Sequence, residues 1–271
     1  RNNFPYIRET KKRGYILRFF SVNYVKGYLH MERCDFVNDK LKLIQQTDGL
    51  TFGTDALLLA GYIDGKYKRG CEFGSGSGII SMLLLTRDKI AETVALEVQE
   101  EYAALTRKNA ELNGLCDRLT TVNGDIRDYR PESEFDIIYT NPPYMKTTSG
   151  KQNAMEKKNI ARHEVCGDIY DFCNAARRML KFGGSFIAVY RPDRLVDLID
   201  AMRKSKIEPK RITFVHADRE SVSSMALVEG RAGGRCGLPP LIIYSDKSHG
   251  SYSDEMNYIM ENGRFPSAFK R

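Results

Sequence analysis

Long apolar runs are missing from this sequence. No stretch approaches the roughly 18–20 residues that a membrane-spanning helix requires. The charged N-terminal residues are not followed by the apolar segment of a secretory signal. The sequence gives no reason to expect a membrane or secreted protein, and we expect a cytoplasmic one.

Paired cysteines are also missing. The six cysteines stand at positions 34, 71, 116, 166, 173 and 236, and no two of them form a C-x-x-C pair. This spacing supports neither a zinc site nor a disulfide framework, whereas free thiols in a reducing compartment fit it. We therefore expect no bound metal.

Apolar residues make up 42% of the 271-residue chain, enough to bury a sizeable core. The net charge of +7 is unevenly distributed, because residues 1–30 hold seven basic side chains against Glu9 alone. A basic arm suits a phosphate backbone, and a solvated tail explains the same composition equally well. We predict a basic extension over residues 1–30, ordered or not, and a single domain over residues 31–271, because Met31 resembles a natural start.

Strand and helix patterns alternate from about residue 68, which predicts a parallel α/β sheet. Apolar runs predict strands over residues 69–73, 93–97, 119–123, 135–140 and 186–190. Periodicity predicts helices over residues 78–86, 98–113 and 195–204, and one from residue 169 that Gly183-Gly184 ends. Strands over 211–216 and 224–229 are placed for antiparallel pairing, and residues 240–244 form one more extended piece. Residues 146–159 are polar and indicate a substrate-binding loop.

Three alternating glycines, Gly74, Gly76 and Gly78, follow the first of these strands and precede an apolar helix. In this context glycines let a ligand approach the backbone, with a helix N-terminus behind it. No Gly-Lys-Ser/Thr follows, which excludes a phosphate-binding P-loop. Glu97 ends the next strand, where a carboxylate can accept hydrogen bonds from both hydroxyls of a ribose. Loop, strand and Glu97 together favour a nucleoside-type cofactor over a structural turn.

Asp125 follows the third strand. The carboxyl ends of strands line the ligand crevice of a doubly wound sheet, so Asp125 can accept a hydrogen bond from an adenine amine. A helix N-cap is the competing interpretation. We favour the cofactor role.

The most specific pattern is Asn141-Pro142-Pro143-Tyr144, directly after an apolar strand. Two prolines fix the backbone and remove two donors, which leaves the Asn141 side-chain oxygen and the Pro142 carbonyl as outward acceptors. An exocyclic amine conjugated to a ring is a poor nucleophile, and two acceptors can aim its lone pair at a methyl group. The Tyr144 ring can stack a flipped base. A plain turn is the alternative, and the position two strands after the glycine loop argues against it.

Together these motifs resemble the class I S-adenosylmethionine-dependent methyltransferases that act on amino groups. The resemblance covers about residues 45–260. It implies a Rossmann-like α/β fold, with a seven-stranded, mostly parallel sheet whose last strand is antiparallel and helices on both faces. It also implies S-adenosylmethionine as cofactor, bound by Glu72, Gly74, Gly76, Gly78, Glu97, Asp125 and Asn141. Glu72 stands where the family usually has Asp, which keeps the charge.

A finer resemblance is carried by residues 51–60, 191–192, 208–212 and 237–241. These segments are similar to the bacterial tRNA(Val) adenine-N6 methyltransferases, which act on the adenine 3′ of the anticodon. The resemblance implies a tRNA partner, and implies that Thr54 and Asp55 help to close the cofactor site. Related enzymes with similar motifs use other RNAs, so the nucleotide and the oligomeric state stay open.

The expected reaction is an in-line methyl transfer in which Asn141, Pro142 and Tyr144 hold the target base, without a protein nucleophile or a metal. A guanine-N2 RNA, DNA adenine or protein glutamine methyltransferase is an alternative that would use the same tetrapeptide. A non-catalytic RNA-binding module and a nicotinamide dehydrogenase explain the motifs less well.

Several basic residues are weaker candidates. Arg162 and His163 follow the polar loop and can meet the substrate, although a lone histidine is more often a surface residue. Arg191 suits a phosphate or a salt bridge equally well. Four further side chains can extend a basic face or belong to the solvated surface: Lys210, Arg211, Arg231 and Arg235.

Overall fold

The computed structural model of the chain describes residues 19–25, 28–46, 52–142, 167–233, 245 and 251–262. Contacts between Cα atoms divide the chain into two compact units, residues 1–233 and residues 234–271. Two predictions, the polar loop over residues 146–159 and the extended piece over residues 240–244, lie outside the described residues.

The described strands are β1 Phe19–Val25, β2 Tyr28–Asn38, β3 Leu41–Gln46, β4 Tyr67–Phe73, β5 Ile90–Glu97, β6 Leu119–Asn123, β7 Phe135–Thr140, β8 Leu180–Tyr190, β9 Ile207–His216 and β10 Ser223–Ala232. The described helices are α1 Thr54–Tyr62, α2 Ile79–Thr86, α3 Glu100–Leu112, α4 Ile169–Met179, α5 Leu195–Lys204 and α6 Asp254–Asn262, and a 3₁₀ turn, Pro192–Arg194, precedes α5. The bounds predicted for β6, β7 and α5 are confirmed.

The central sheet has seven strands in the order β6-β5-β4-β7-β8-β10-β9. The strands from β6 to β8 are parallel to their neighbours, and β10 pairs antiparallel with both β8 and β9. This confirms the predicted Rossmann-like sheet with its last strand antiparallel. The carboxyl ends of β5, β4, β7 and β8 therefore stand side by side at one edge, the place where open α/β sheets bind ligands.

Helices cover both faces of this sheet. One core cluster joins α4 and α5 to one face, and a second joins α1, α2 and α3 to the other. Strand β7 and residues 184–190 of β8 are buried between the two layers, which explains their nearly continuous apolar sequences. Every residue from Ile79 to Leu85 in α2 is buried, so this helix has no polar face.

A second sheet, β1-β2-β3, is antiparallel and was not predicted from the sequence. Its last strand binds α3 through two asparagine side chains. Asn109 accepts from Ile44 N and donates to Ile44 O, and Asn113 does the same with the backbone of Lys42. Residues four apart on a helix rise about 6 Å, close to the roughly 6.7 Å between alternate residues of a strand. The two carboxamides therefore act as a short partner strand for β3.

The predicted end of α4 at Gly183-Gly184 is wrong. The helix ends at Met179, and β8 begins at Leu180 and includes both glycines. Gly183 has a φ of +78°, and a Cβ on Gly184 would stand 3.0 Å from Lys181 O. The pairing of β7 with β8 shifts register at this point. The glycines permit a bulge at the start of a strand rather than a helix stop.

The sequence predicts that the basic extension ends at residue 30. Strand β2 continues through this residue, and residues 28–34 of β2 pair with β1. The division of the chain at that residue stays a prediction.

In the second unit, α6 starts after Ser253, whose hydroxyl accepts from Met256 N at 3.1 Å. In the described part of the chain, no helix is long and apolar enough to span a bilayer.

Candidate active site

The glycine loop connects β4 to α2. Gly74, Gly76 and Gly78 have φ values of +70°, +56° and +80°, which side chains rarely adopt. A Cβ on Gly74 or Gly76 would meet nothing within 4 Å, whereas one on Gly78 would stand 2.8 Å from a methyl group of Thr106. The first two glycines therefore leave open space over the backbone for a ligand, and the third allows α3 to pack against the loop.

Glu97 lies beside this loop, as predicted. It ends β5, is 5% exposed, and its carboxylate accepts from Gly76 N at 2.9 Å and from Gln99 N at 3.0 Å. Burial raises the pKa of Glu97, and the backbone hydrogen bonds act in the opposite direction. The carboxylate is thus fixed at the edge of the open space.

Asp125 follows β6 and accepts hydrogen bonds through both its carboxylate, including one from Arg127 N at 2.8 Å, and its carbonyl. Its carboxylate binds the Arg127 guanidinium, which lowers the pKa of Asp125, and its carbonyl accepts from Asp128 N and Tyr129 N in a tight turn. The turn is joined to β5, because Gly124 N donates to Glu97 O at 3.0 Å. Asp125 is therefore near Glu97 and also stabilises its own turn, so the cofactor role predicted for it stays a prediction.

Glu72 is directed behind the loop rather than over it. The side chain is 1% exposed and accepts from Ser81 N at 3.1 Å and from Ser81 Oγ at 2.5 Å. Ser81 Oγ also contacts Tyr139 Oη, which contacts Thr93 Oγ1, each at 2.8 Å. Burial raises the pKa of Glu72 to about 8. These contacts hold α2 on the sheet, and direct cofactor binding by Glu72 stays a prediction.

Asn141 follows β7, which lies next to β4 in the sheet. Thr140 Oγ1 donates to Phe73 O at 2.9 Å and so joins the ends of these two strands. Asn141 Nδ2 donates to Asp55 Oδ2 at 2.7 Å, and Pro142 is buried. The structure therefore brings together Asn141, Pro142 and Asp55. Tyr144 lies outside the described residues, and its stacking role stays a prediction.

A crevice of about 840 Å³ opens at the carboxyl end of β8, and Asp55, which binds Asn141, forms part of its wall. It is lined by Gly53, Thr54, Asp55, Tyr190, Arg191, Pro192, Asp193, Ser223, Ser224 and Met225. Arg191 binds the Asp193 carboxylate at 2.9 and 2.6 Å, which is the salt-bridge alternative for this residue. Because β7 lies between β4 and β8, Asn141 stands between the glycine loop and the crevice.

Most of the weaker candidate residues either form ion pairs in the structure or lie outside the described residues. Arg211 and Arg231 both bind Glu229, and Arg211 also lies over the Tyr62 ring. Arg162 and His163 are outside the described residues. In the described part of the chain, no cluster of three or more His, Cys, Asp or Glu side chains is arranged to hold a metal ion.

Sequence reasoning missed the residues that support the site. Asn109 is fully buried, and its Nδ2 donates to Ser77 O in the loop at 3.0 Å in addition to binding β3. Thr106 Oγ1 donates to Gly76 O at 2.9 Å. Gln45, on β3, accepts from Phe52 N at 2.9 Å and so fixes the segment that leads to Asp55. The sequence shows Thr106 and Asn109 as polar residues on the apolar face of a helix. This pattern does not identify the groups that such residues bind.

Comparisons with known proteins agree with this geometry. Residues 46–205 match the family model described as methyltransferase small domain. A Porphyromonas gingivalis protein named tRNA1(Val) (adenine(37)-N6)-methyltransferase is 30% identical over 183 residues, 64% of this chain and 71% of that protein. Proteins of the same name from Pedobacter heparinus and Dyadobacter fermentans are 26% and 30% identical. The matches cover 81% and 52% of this chain, and 93% and 58% of those proteins.

Several solved structures share the fold. A predicted O-methyltransferase from Agrobacterium tumefaciens superposes with a TM-score of 0.54 at 22% identity, over 76% of this chain and 95% of that one. A Pyrococcus furiosus methyltransferase gives 0.55 at 17% identity, over 73% and 92% of the two chains. A Pyrococcus horikoshii protein solved in complex with MeSAdo gives 0.53 at 15% identity, over 75% and 72%.

Proposed function

The chain belongs to the methyltransferase small domain family and is an S-adenosylmethionine-dependent methyltransferase, and from this premise we propose that it methylates N6 of an adenine in tRNA. The finer proposal is the adenine 3′ of the anticodon of a valine tRNA. The methyltransferase assignment follows from the family match, whereas the choice of base and of RNA rests on the position of Asn141, on the named relatives and on the charge of residues 1–30.

The observation that carries the proposal is the position of Asn141. It stands at the carboxyl end of β7, between the glycine loop after β4 and the crevice at β8. A side-chain amide in this position can hold an amine that enters from the crevice and direct it toward a methyl donor over the loop. The residue that follows, Pro142, donates no backbone hydrogen bond and offers its carbonyl as a second acceptor.

The residues around the loop fit the cofactor. The open space over Gly74 and Gly76 admits a ligand against the backbone, and Glu97 at its edge suits the hydroxyls of a ribose. Bound S-adenosylmethionine would supply a methyl group on a positively charged sulfur. Within the protein, catalysis then consists of positioning the amine and excluding water, which needs no protein nucleophile.

Two observations support tRNA as the substrate class. The relatives described above are named as enzymes that act on adenine 37 of a valine tRNA. In addition, residues 1–30 carry most of the net positive charge of the chain, which favours a polyanionic partner. Guanine-N2 methylation of RNA, DNA adenine methylation and glutamine methylation of a protein are the alternatives, since a planar amine is common to all four.

The test uses two transcripts of a valine tRNA that differ only at the nucleotide 3′ of the anticodon, adenine in one and guanine in the other. Each is incubated with the protein and isotopically labelled S-adenosylmethionine, and then digested to nucleosides. We expect labelled N6-methyladenosine from the adenine transcript and none from its partner. Equal N6-methyladenosine from both would move the site elsewhere in the tRNA, and labelled N2-methylguanosine would overturn the choice of base.

A further inference from the structure

We infer that Asp55 is a positioning residue for Asn141: its carboxylate holds the Asn141 carboxamide so that the amide oxygen faces the acceptor amine. The inference rests on the proposed function, because it assigns Asp55 a part in the same methyl transfer. It differs from the expectation that Asp55 closes the cofactor site, since here Asp55 acts on the acceptor through Asn141.

The geometry is a direct contact between residues far apart in sequence. Asn141 Nδ2 donates to Asp55 Oδ2 at 2.7 Å, within the range of charge-assisted hydrogen bonds. The other carboxylate oxygen, Oδ1, accepts from Ala56 N at 2.9 Å. Asp55 is therefore fixed to the first turn of α1, where the helix dipole favours a negative charge.

A carboxylate determines which way a carboxamide is turned. An ionised Asp side chain only accepts hydrogen bonds, and an Asn side chain has one donating and one accepting end. Asp55 must therefore receive the nitrogen of Asn141, and the planar amide then carries its oxygen on the opposite side. In the reverse orientation the Asn141 nitrogen would meet the acceptor amine, and two donors would face each other.

The chain leaves room for this carboxylate at Gly53. A Cβ on Gly53 would stand 2.7 Å from Asp55 Oδ1, too close for the side chain to keep its position. Gly53 has a φ of −110°, which other residues adopt freely, so space rather than backbone conformation requires glycine here. Gly53 and Asp55 both line the crevice, which puts the Asp55–Asn141 contact at the wall where the acceptor would enter.

The first test is a double-mutant cycle measured as methyl transfer, with Asp55→Ala, Asn141→Ala and the combined variant. We expect Asp55→Ala to lower kcat about 10²-fold, comparable to the loss of one preorganised hydrogen-bonding group. The KM for S-adenosylmethionine and the Kd for S-adenosylhomocysteine should change less than about twofold. In the Asn141→Ala background, where single-turnover reactions at high protein concentration follow the small residual rate, Asp55→Ala should cause no further loss, because its target is gone.

Two comparisons separate positioning from a general structural role. Asp55→Asn keeps the shape but can donate as well as accept, so it should lower kcat about tenfold, less than Asp55→Ala does. Asp64, two residues beyond the end of α1, accepts from the next backbone N–H at 2.9 Å as Asp55 does, and Asp64→Ala should leave kcat unchanged. Additive losses of kcat in the cycle would overturn the inference. A Kd for S-adenosylhomocysteine that rises in both Asp55→Ala and the combined variant would overturn it in favour of a cofactor-closing role.

Gly53→Ala offers the same test without touching either partner. The added methyl group displaces the Asp55 carboxylate, so kcat should fall about tenfold or more while the protein stays folded. Gly61→Ala is the matched control in the same helix, because a Cβ there meets nothing within 4 Å. Unchanged kcat in Gly53→Ala would contradict the inference.

A readout independent of the acceptor separates this inference from the proposed function. In ¹⁵N-labelled protein, the Asn141 side-chain N–H signals are identified by their loss in Asn141→Ala. We expect one of them to be shifted downfield in the wild type and in Asp64→Ala, and to return to the ordinary range in Asp55→Ala. Identical signals in wild type and Asp55→Ala would overturn the inference. A shifted signal in a protein that does not methylate adenine would leave the contact established and reject only the base.

Discussion

Three carboxylates stand near the ends of neighbouring strands, and their surroundings give them different properties. Glu72 is enclosed and bound to a helix, Glu97 accepts from the glycine loop, and Asp125 is neutralised by a guanidinium. The pKa is raised by burial in Glu72 and Glu97 and is lowered in Asp125 by Arg127. The strand pattern of the sequence identifies Glu97 and Asp125, and the family resemblance adds Glu72, but neither separates these roles.

The Glu72→Gln variant should change how stability depends on pH. Burial raises the pKa of Glu72 from 4.5 to about 8. Between those values the folded protein keeps a proton that the unfolded chain releases, so this contribution to stability is complete below pH 4.5 and is lost as the pH rises through 8. Replacement by the neutral amide removes this dependence and keeps an oxygen for both bonds from Ser81.

The measurement is the free energy of unfolding in urea at pH 5.5 and pH 8. We expect the free energy of unfolding of Glu72→Gln, relative to that of wild type, to increase by about 2–3 kcal/mol between pH 5.5 and pH 8. Glu111→Gln, at an exposed position of α3, is the control and should show no such change. A constant difference between the variant and wild type would show that Glu72 is ionised in the fold.

At the scale of elements, α3 connects the parts of the first unit that form the site. Thr106 and Asn109 on one face of the helix, and Asn113 directly after its last residue, bind the glycine loop and strand β3. The three-stranded sheet in turn fixes residue 52 through Gln45, just before α1 and Asp55. A single helix therefore sets the positions of both the loop and the segment that leads to Asp55.

Asn109→Ala should destabilise the protein more than Asn113→Ala. Asn109 is fully buried and serves Ile44 and the Ser77 carbonyl, so its loss leaves buried backbone groups unpaired and should cost about 3 kcal/mol. The Lys42 groups bound by Asn113 are exposed, and water can replace that side chain at a cost of about 1 kcal/mol. Urea unfolding of the two variants measures the difference, and equal losses would contradict this account of the docking.

The elements that the sequence predicted best are those whose burial leaves a clear pattern. Strands β6 and β7 and helix α5 have the predicted bounds, since apolar runs and a helical period are direct consequences of two-sided and one-sided burial. The bulge at Gly183 was mistaken for a helix stop, because glycine marks both. The β1-β2-β3 sheet was missed, since its attachment depends on asparagine contacts 65 and 71 residues away in sequence.

The candidate site was predictable as a set of positions but not as a set of contacts. The glycine loop, Glu97 and Asn141 were found because strand ends and backbone restrictions are local properties of the sequence. The hydrogen bond from Asn141 to Asp55 joins residues 86 positions apart, and no local pattern specifies it. Only the family resemblance placed Asp55 at the site, and it implied a different task.

At the scale of the whole molecule, the distribution of charge bears on the substrate. Residues 1–30 are strongly basic, while the rest of the chain is close to neutral. Arg211 and Arg231 are engaged with Glu229, and Arg127 and Arg191 with Asp125 and Asp193. We therefore expect the contribution of ion release to tRNA binding to come chiefly from the basic segment.

A triple substitution, Lys11→Ala, Lys12→Ala and Arg13→Ala, tests this expectation. The equilibrium constant for tRNA is measured between about 50 and 200 mM salt. Loss of three phosphate contacts should reduce the slope of its logarithm against the logarithm of salt by about 2. The control removes three exposed charges elsewhere, Lys40, Lys66 and Arg203, and should change the slope little. Equal slopes in the two variants would show that Lys11, Lys12 and Arg13 make no phosphate contacts and would contradict this expectation.

The most direct test of the central claim is the identity of the methylated nucleoside. Unmodified bulk tRNA is incubated with isotopically labelled S-adenosylmethionine and either wild-type protein or Asn141→Ala, and is then digested and separated. We predict label in N6-methyladenosine with the wild type and almost none with the variant, which should still bind S-adenosylhomocysteine. Label in N2-methylguanosine, undiminished transfer by Asn141→Ala, or transfer only to DNA, ribosomal RNA or protein would contradict the claim.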